Sequence, residues 1–573
     1  MAGSSGRRTK MAYDLLVKNG RIVDGSGMPA FRGDLGVSEG KIVELGRLSG
    51  PAKRVIDAEG NVVAPGFIDN HCHYDAQVTW DPLCTFSCYH GATTVIIGNC
   101  SLALAPVKPH DREALAGMLS EVEAIPMDIL RAAVPWNWET FPQYMEAIGR
   151  RLSINVGTLV GHSALRLYAM GEASQEREAT ESELETMQRV LRGALDAGAL
   201  GLSVSRNMSH FDVRGKLIPA VFAPEAEMLA LAEVLREAGT GVMQSGGGAS
   251  PELKTGLMSR LSEASGRPVI YNSITHSLYD PTRWKKHLTL VEQRYKEGTR
   301  AVPLCTPNSA VILFNMKNSQ FFRQMPNWLS IMQVSDEEKH RMYADPAVRA
   351  KLRADLELPD NGFNRRWDIL MVDEPALPQN HELKGKTIEE ISVRQHKEPL
   401  DAFLDLAVEE NLNTVFGFCH RNTDPVSVGE ILNSPYTVVG LSDGGAHVQY
   451  HSEVGYSTRL LGYWVREKGV MSLEQAVRRL TFDSASAYGI YDRGLLRPGL
   501  AADLVVFDPN TVKPRRQEIV HDFPNNGWRM RVLADGIHYT AVNGEVVFDH
   551  EQPSGATPGK VLRNARYLHQ QRQ

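Results

Sequence analysis

The apolar and polar positions of the chain fall into two rhythms. Over residues 11–64, short β-prone runs alternate with tight turns. DLLVKNGRIVDG, GDLGVSEGKIVELG and RVIDAEGNVVAPG each set Asn-Gly, Glu-Gly or Gly-Asn between stretches of strand composition. The rhythm changes near Pro65, and from there to about residue 490 compact apolar runs alternate with amphipathic helical text. Strands are predicted at 66–73, 93–100, 154–162, 199–204, 240–245, 268–273, 300–305 and 436–443. Helices fill the gaps. ESELETMQRVLRGALDAG follows Thr180, which stands at capping-box spacing from Glu183, and stops at Gly198, and SLEQAVRRLTFDSASAYG repeats the spacing with Ser472 and Gln475.

Eight strand–helix alternations over residues 65–492 predict an α/β chain built on a (β/α)8 TIM barrel. A doubly wound sheet competes, but the glycine fingerprint of dinucleotide binding is absent from the sequence. After residue 493 β-prone text returns in RGLLRPGLAADLVVFDP and HYTAVNGEVVFDHEQ. The simplest architecture pairs it with the first strands, giving a small β-sandwich domain from residues 11–64 plus 493–550. Residues 306–398 are far longer than an ordinary loop and read as an insertion within the barrel. Its aromatic text, with Phe314, Phe321, Phe322 and Trp328, fits a lid over the site or a subdomain burying its own aromatics. Residues 1–10 and 551–573 read as tails.

Composition narrows the class. The chain has 573 residues, 42% hydrophobic and 23% charged, with a net charge of −6 and no basic stripe, which argues against a nucleic-acid partner or a membrane-surface patch. No apolar run approaches the ~18 residues of a membrane span. Six cysteines without disulfide-scaffold spacing point to a reducing, cytoplasmic setting. The sequence does not fix the oligomeric state, though homo-oligomers are common for barrels with such additions.

The chemistry concentrates at 66-GFIDNHCHYD-75. Side chains alternate along a strand, so Asp69, His71, His73 and Asp75 share one face, and Asn70, Cys72 and Tyr74 the other. A bare H-x-H pair is weak, since 18 histidines in this length yield about 0.6 by chance. Position strengthens it, because barrel enzymes gather catalytic groups at strand C-termini. His71 and His73 close strand 1, Cys100 closes strand 2 and Asp443 closes strand 8, and a closed barrel makes strands 8, 1 and 2 neighbours. Two imidazoles, a thiolate and a carboxylate suit a zinc ion. A catalytic zinc usually keeps three protein ligands and an open position, so Asp443 either binds loosely or acts on the water. Cys84 and Cys88 sit one turn apart on a predicted helix and read as buried thiols. His162, His276, His420 and His447 are further candidates at strand ends and loops.

GFIDNHCHYD, GATTVIIGNCSLALAP, LVGHSALRLYAMG, GLSDGGAHV and AVNGEVVF…PSGATPGKVLR together resemble the amidohydrolase superfamily, in its D-aminoacylase (N-acyl-D-amino-acid deacylase) branch. The resemblance runs from residue 13 to about 565, and the cysteine of GNC is its most specific mark. It implies a (β/α)8 barrel with a small β-domain, His71, His73, Cys100 and Asp443 as metal ligands, and Asp443 as general base. The branch places histidines just after strands 5 and 6, where this sequence has Gly246 and Asn272, so one zinc per chain is expected rather than two. The arginine that the branch carries in the loop after the aspartate is replaced by Ser452, with Arg459 further along.

The resemblance implies hydrolysis of a small-molecule amide C–N bond by a zinc-activated water, on an N-acyl amino acid or related N-acyl compound, with altered specificity. His162, Gln244, Asn272 and His447 are the expected substrate-side donors. A hydantoinase-like cyclic-amide hydrolase, a deaminase and a non-catalytic scaffold are the alternatives.

Overall fold

The computed structural model describes residues 13–246, 250–309, 311–317, 322, 324–359, 361, 363–449 and 452–571. Phe321 and residues 1–10 therefore lie outside the described residues. Among them the chain divides into two compact units, one formed by residues up to 276, 281–308 and 424 onward, the other by residues 277–280 and 309–423.

The first unit holds eight parallel strands in a single curled sheet: β1 (Phe67–Asp69), β2 (Ala92–Ile97), β3 (Asn155–Gly161), β4 (Gly201–Ser205), β5 (Val242–Gly246), β6 (Val269–Tyr271), β7 (Ala301–Cys305) and β8 (Val438–Val439). Every stretch predicted as a barrel strand overlaps one. The sheet meets itself just past β1 and β8. Cys72 bridges Gly444 in parallel, the Asp443 amide donates to the His71 carbonyl at 3.1 Å, and the His73 amide donates to the Gly444 carbonyl at 2.6 Å. That seam completes the TIM barrel.

The barrel interior is a layer of branched residues. Ile68, Ile96, Leu159, Leu200, Val242, Ile270, Leu304 and Val438 pack together, with Tyr488, Ile490 and Leu562 joining the same cluster. The apolar runs of the sequence are thus buried on both faces, inward by this layer and outward by helices, which is why they lack polar alternation. Thr180 caps its helix (Glu181–Asp196) with both hydrogen bonds of the capping box. The text after Ser472 was predicted as one helix and is two, Leu473–Leu480 and Phe482–Ala487, because Thr481 between them leaves helical geometry.

The two ends of the chain meet in a nine-stranded sheet. Val62–Pro65 pairs antiparallel with Leu504–Phe507, and Leu15, Val17, Val37, Ile42, Val63, Val506 and Ala541 share one core. The strand text after residue 493 thus completes the sheet that the first residues begin.

The second unit has its own core. Val311–Phe314 and Leu370–Glu374 flank Val415–Cys419 in an antiparallel sheet, and Phe314, Phe322, Trp328, Phe363 and Phe403 bury one another beneath it. Phe322 stacks on Trp328 at 4.2 Å between ring centroids. These aromatics are accounted for by that core.

Candidate metal centre

The site begins with the turns that end the strands. After β2, Asn99 donates its amide to the Cys72 and Ile96 carbonyls at 3.0 and 2.8 Å. Cys100 and Ser101 then take left-handed φ values of 52° and 66°, unusual for residues with a side chain. The turn is held by Cys100 N–H donating to Gln244 Oε1 at 3.1 Å and Ser101 N–H donating to Ser203 Oγ at 3.0 Å. These bonds over-determine the conformation that aims Cys100 Sγ inward.

After β8 a similar device carries Asp443, whose φ is 46°. Ser442 Oγ donates to buried Asp69 at 2.7 Å and accepts from the Gly444 amide at 2.9 Å. Gly444 sits where any Cβ would overlap the Tyr74 hydroxyl. The two glycines of SDGGAH are therefore a packing requirement of the seam.

These turns bring distant side chains together. One ligand-type atom each of His71, His73 and Cys100 lies within 4.8 Å of the others, and all three residues are buried. Cys100 Sγ is 3.5 Å from His71 Nε2, and the two imidazole rings stand 5.3 Å apart at 72°. Asp443 Oδ1 lies 3.4 Å from His71 Nε2 and 3.8 Å from His73 Nε2. Cys72 points the other way, its thiol against the Ile96 carbonyl.

The electrostatics suit a cation. Burial lowers His71 to about 3 and holds His73 well below the ordinary imidazole range, so both rings are neutral and able to donate lone pairs. Burial, with Asp443 and Glu123 nearby, pushes the Cys100 thiol up. Burial and Asp69 raise Asp443 to about 7. Two neutral imidazoles, a thiol and a carboxyl in one buried pocket fit a divalent metal ion, whose charge would draw the proton off the thiol.

Asn272, at the end of β6, sets its amide nitrogen 3.3 Å from His71 Nε2 and 3.6 Å from Cys100 Sγ, and accepts from Gln244 Nε2 at 3.1 Å. Gln244 Nε2 is also 3.5 Å from His71 Nδ1. Gly246 presents bare backbone here; a Cβ on it would lie 3.3 Å from Cys100 Sγ. His447 is half-buried in the loop after Asp443, near enough to His73 for the two rings to disfavour each other's protonation.

His162 is placed differently. Its Nε2 meets Glu227 Oε1 at 2.7 Å, and Glu227 also binds Arg166, so its polar contacts form an ion-paired group under the helix after β3. His276 is buried, and His420 belongs to the second unit, against Tyr279. Arg459 turns its Nε to the Pro307 carbonyl at 3.1 Å. Cys84 and Cys88 are buried thiols but not on one helix. Asp81 accepts the Leu83 and Thr85 amides, and Cys84 has a φ of 48°.

One acidic residue at the site escaped the sequence reading. Glu123, the last residue of α1 (Arg112–Glu123), is buried with Oε1 3.1 Å from His73 Nδ1. The contact is close without being aligned as a hydrogen bond. Burial, Asp443 and Asp75 push its carboxyl well up. The signal was its spacing, since Leu115, Leu119 and Glu123 fall on the same buried helix face.

The profile of the amidohydrolase family matches residues 54–548. An uncharacterised protein of Mycobacterium tuberculosis (strain H37Rv) is 30% identical, with 97% of this chain and 96% of that protein covered. A D-aminoacylase of Alcaligenes xylosoxydans xylosoxydans is 27% identical over 96% of this chain and 97% of its own. The crystal structure of N-acyl-D-glutamate deacylase from Bordetella bronchiseptica, complexed with zinc and a phosphonate mimic of the tetrahedral intermediate, superposes with a TM-score of 0.66. It is 27% identical, and the match covers 96% of this chain and all of that one. No helix among the described residues is long and apolar enough to cross a membrane.

Proposed function

The chain belongs to the amidohydrolase family, and from that premise we propose that it hydrolyses the amide C–N bond of an N-acyl amino acid or related N-acyl compound, using one zinc ion per chain. The observation that carries the reading is the asymmetry of the pocket. His71, His73, Cys100 and Asp443 offer a complete donor set at the ends of β1, β2 and β8, while Gly246 and Asn272 stand at the ends of β5 and β6. An amide that donates toward His71 and Cys100 is a poor metal ligand in that orientation, which supports one ion rather than two.

His71, His73 and Cys100 would hold the ion, with Asp443 at its edge. When bound, a divalent ion supplies Lewis-acid polarisation of a carbonyl and a more acidic water. Asp443 takes the proton of the attacking water and returns it to the departing nitrogen, the work of a general base and then acid. Asn272 Nδ2 is a preorganised donor for the oxygen that gains charge as the carbonyl carbon becomes tetrahedral. Buried walls keep these dipoles in a low dielectric, where they act strongly.

The test is metal content per chain after purification without added metal, followed by hydrolysis assays on N-acyl-D- and N-acyl-L-amino acids, cyclic amides and adenine. One equivalent of zinc and turnover of a linear N-acyl substrate is the expected result. Turnover of cyclic amides alone, or release of ammonia, moves the substrate assignment. A chain that takes up no metal ends the hydrolase reading.

A further inference from the structure

Glu123 lies where a carboxylate is costly. It is the C-terminal residue of α1, where the helix dipole already presents partial negative charge, so an acidic side chain there is disfavoured. It is buried, and its charged neighbours Asp443 and Asp75 are also acidic. Such a placement persists where the carboxyl is neutral or where something positive or hydrogen-donating faces it.

The local backbone is built to keep it there. Ala124 takes a left-handed φ of 55°, which stops the helix immediately after Glu123. The Glu123 carbonyl accepts the Val448 amide at 3.3 Å, tying the helix end to the loop that follows Asp443. Val213 packs against Gly117 six residues earlier on the helix, where an added Cβ would collide with it. The Glu123 side chain reaches His73 Nδ1 at 3.1 Å, on the opposite side of the ring from the Nε2 that faces Asp443.

We propose that Glu123 is a positioning residue for the metal centre: its carboxyl, 3.1 Å behind His73 Nδ1, accepts the N–H of that ring when an ion is held, so that Nε2 is presented to the ion as a ligand. The inference rests on the metal-site reading above and extends it from the donor set to the group behind it. A carboxylate behind a ligating imidazole fixes its tautomer and ring orientation and raises its basicity. An ion held in the dry pocket would in turn favour the ionised form of Glu123. The cost of a buried carboxylate at a helix C-terminus is thereby met by the centre it supports.

The experiment compares the full-length wild type with Glu123→Gln, Glu123→Asp and Glu123→Ala, each stripped of metal and titrated with zinc against a chromophoric chelator. The zinc dissociation constant is expected to rise about 10–100-fold in Glu123→Ala, and less in Glu123→Gln, which keeps an acceptor oxygen without the charge. The cobalt(II)-substituted proteins give a second readout, because a His73 ring free to rotate alters the ligand-field spectrum. Thermal unfolding of the metal-free proteins reports folding, and if Glu123→Ala does not fold, the near-isosteric Glu123→Gln decides. Wild-type zinc affinity and an unchanged cobalt spectrum in the folded variants overturn the proposal. A wild type that binds no zinc instead overturns the metal-site reading beneath it.

Discussion

Asp443 Oδ1 stands 3.4 Å from His71 Nε2, although 372 positions separate the two residues, because the Asp443 amide is hydrogen-bonded to the His71 carbonyl at the seam of the barrel. The bond that closes the fold is also the bond that assembles the acid beside the imidazole. Stability and chemistry are therefore coupled at this point, and substitutions at the seam sort by which of the two they disturb.

Asp443→Asn keeps size and backbone preference while removing the base. Activity on the best amide substrate is expected to fall about 10³-fold or more, with the thermal midpoint nearly unchanged. Steady-state kinetics beside a melting curve check this. Wild-type turnover in a folded variant would sink the assignment of Asp443 as base.

Cys100→Ala removes the thiol that closes the trio with His71 and His73. Zinc content after dialysis is expected to drop from about one equivalent to near zero, since a structural loss of one ligand of three weakens a site severely. Cys72→Ala, whose thiol faces the Ile96 carbonyl instead, is expected to keep its zinc. Elemental analysis of the two variants side by side separates loss of a ligand from loss of a buried cysteine.

Asn272→Ala deletes the amide beside His71 and Cys100. If that amide stabilises developing oxyanion charge, turnover falls about 10²–10³-fold with little change in KM. A rise in KM with turnover preserved would instead make Asn272 a ground-state binding residue.

These residues also show what the sequence could and could not tell. His71, His73, Cys100 and Asp443 were legible because each sits at the end of a strand with an apolar run before it, and barrel topology fixes where strand ends go. Gln244 and Asn272 were legible for the same reason. His162 has that position too, yet its Nε2 is spent on Glu227, a partner 65 residues away on another helix. Glu123 was illegible as a site residue because helix ends have no comparable rule. Its spacing with Leu115 and Leu119 marks it as facing inward, but only tertiary packing shows that this face meets His73. The Cys84–Cys88 text read as a helix because of its i, i+4 spacing, but Asp81 gathers the following amides into a turn, and local side-chain-to-backbone bonds won over periodicity.

Gly444→Ala probes the seam itself. A Cβ there overlaps the Tyr74 hydroxyl and comes within 3.0 Å of Ser87 Oγ, in a fully buried network that also holds Asp69. Overpacking of this kind costs about 1–3 kcal/mol. Both a lowered thermal midpoint and a loss of activity are expected, because the displaced backbone carries Asp443. A variant with a lowered midpoint and intact turnover would show that the Asp443 turn tolerates movement of the seam.

His90 gives the stability of the fold a pH dependence away from the metal centre. Its ring is buried between Thr458 Oγ1 at 2.8 Å and the Val532 carbonyl at 3.0 Å, and burial lowers its pKa from 6.5 to about 4. The unfolded chain takes up this proton below pH ~6.5, whereas the folded chain resists it until about pH 4. The stabilising contribution is thus fully present above 6.5 and is lost as the pH falls toward 4. A shift of that size corresponds to about 3 kcal/mol at the acid end of the window. His90→Asn removes the titration, so the gap between wild-type and variant thermal midpoints should narrow from pH 7.5 to pH 4.5. Melting curves of metal-free protein at several pH values measure it, and a gap that stays constant across the window would mean that His90 titrates in the folded chain as it does in the unfolded one.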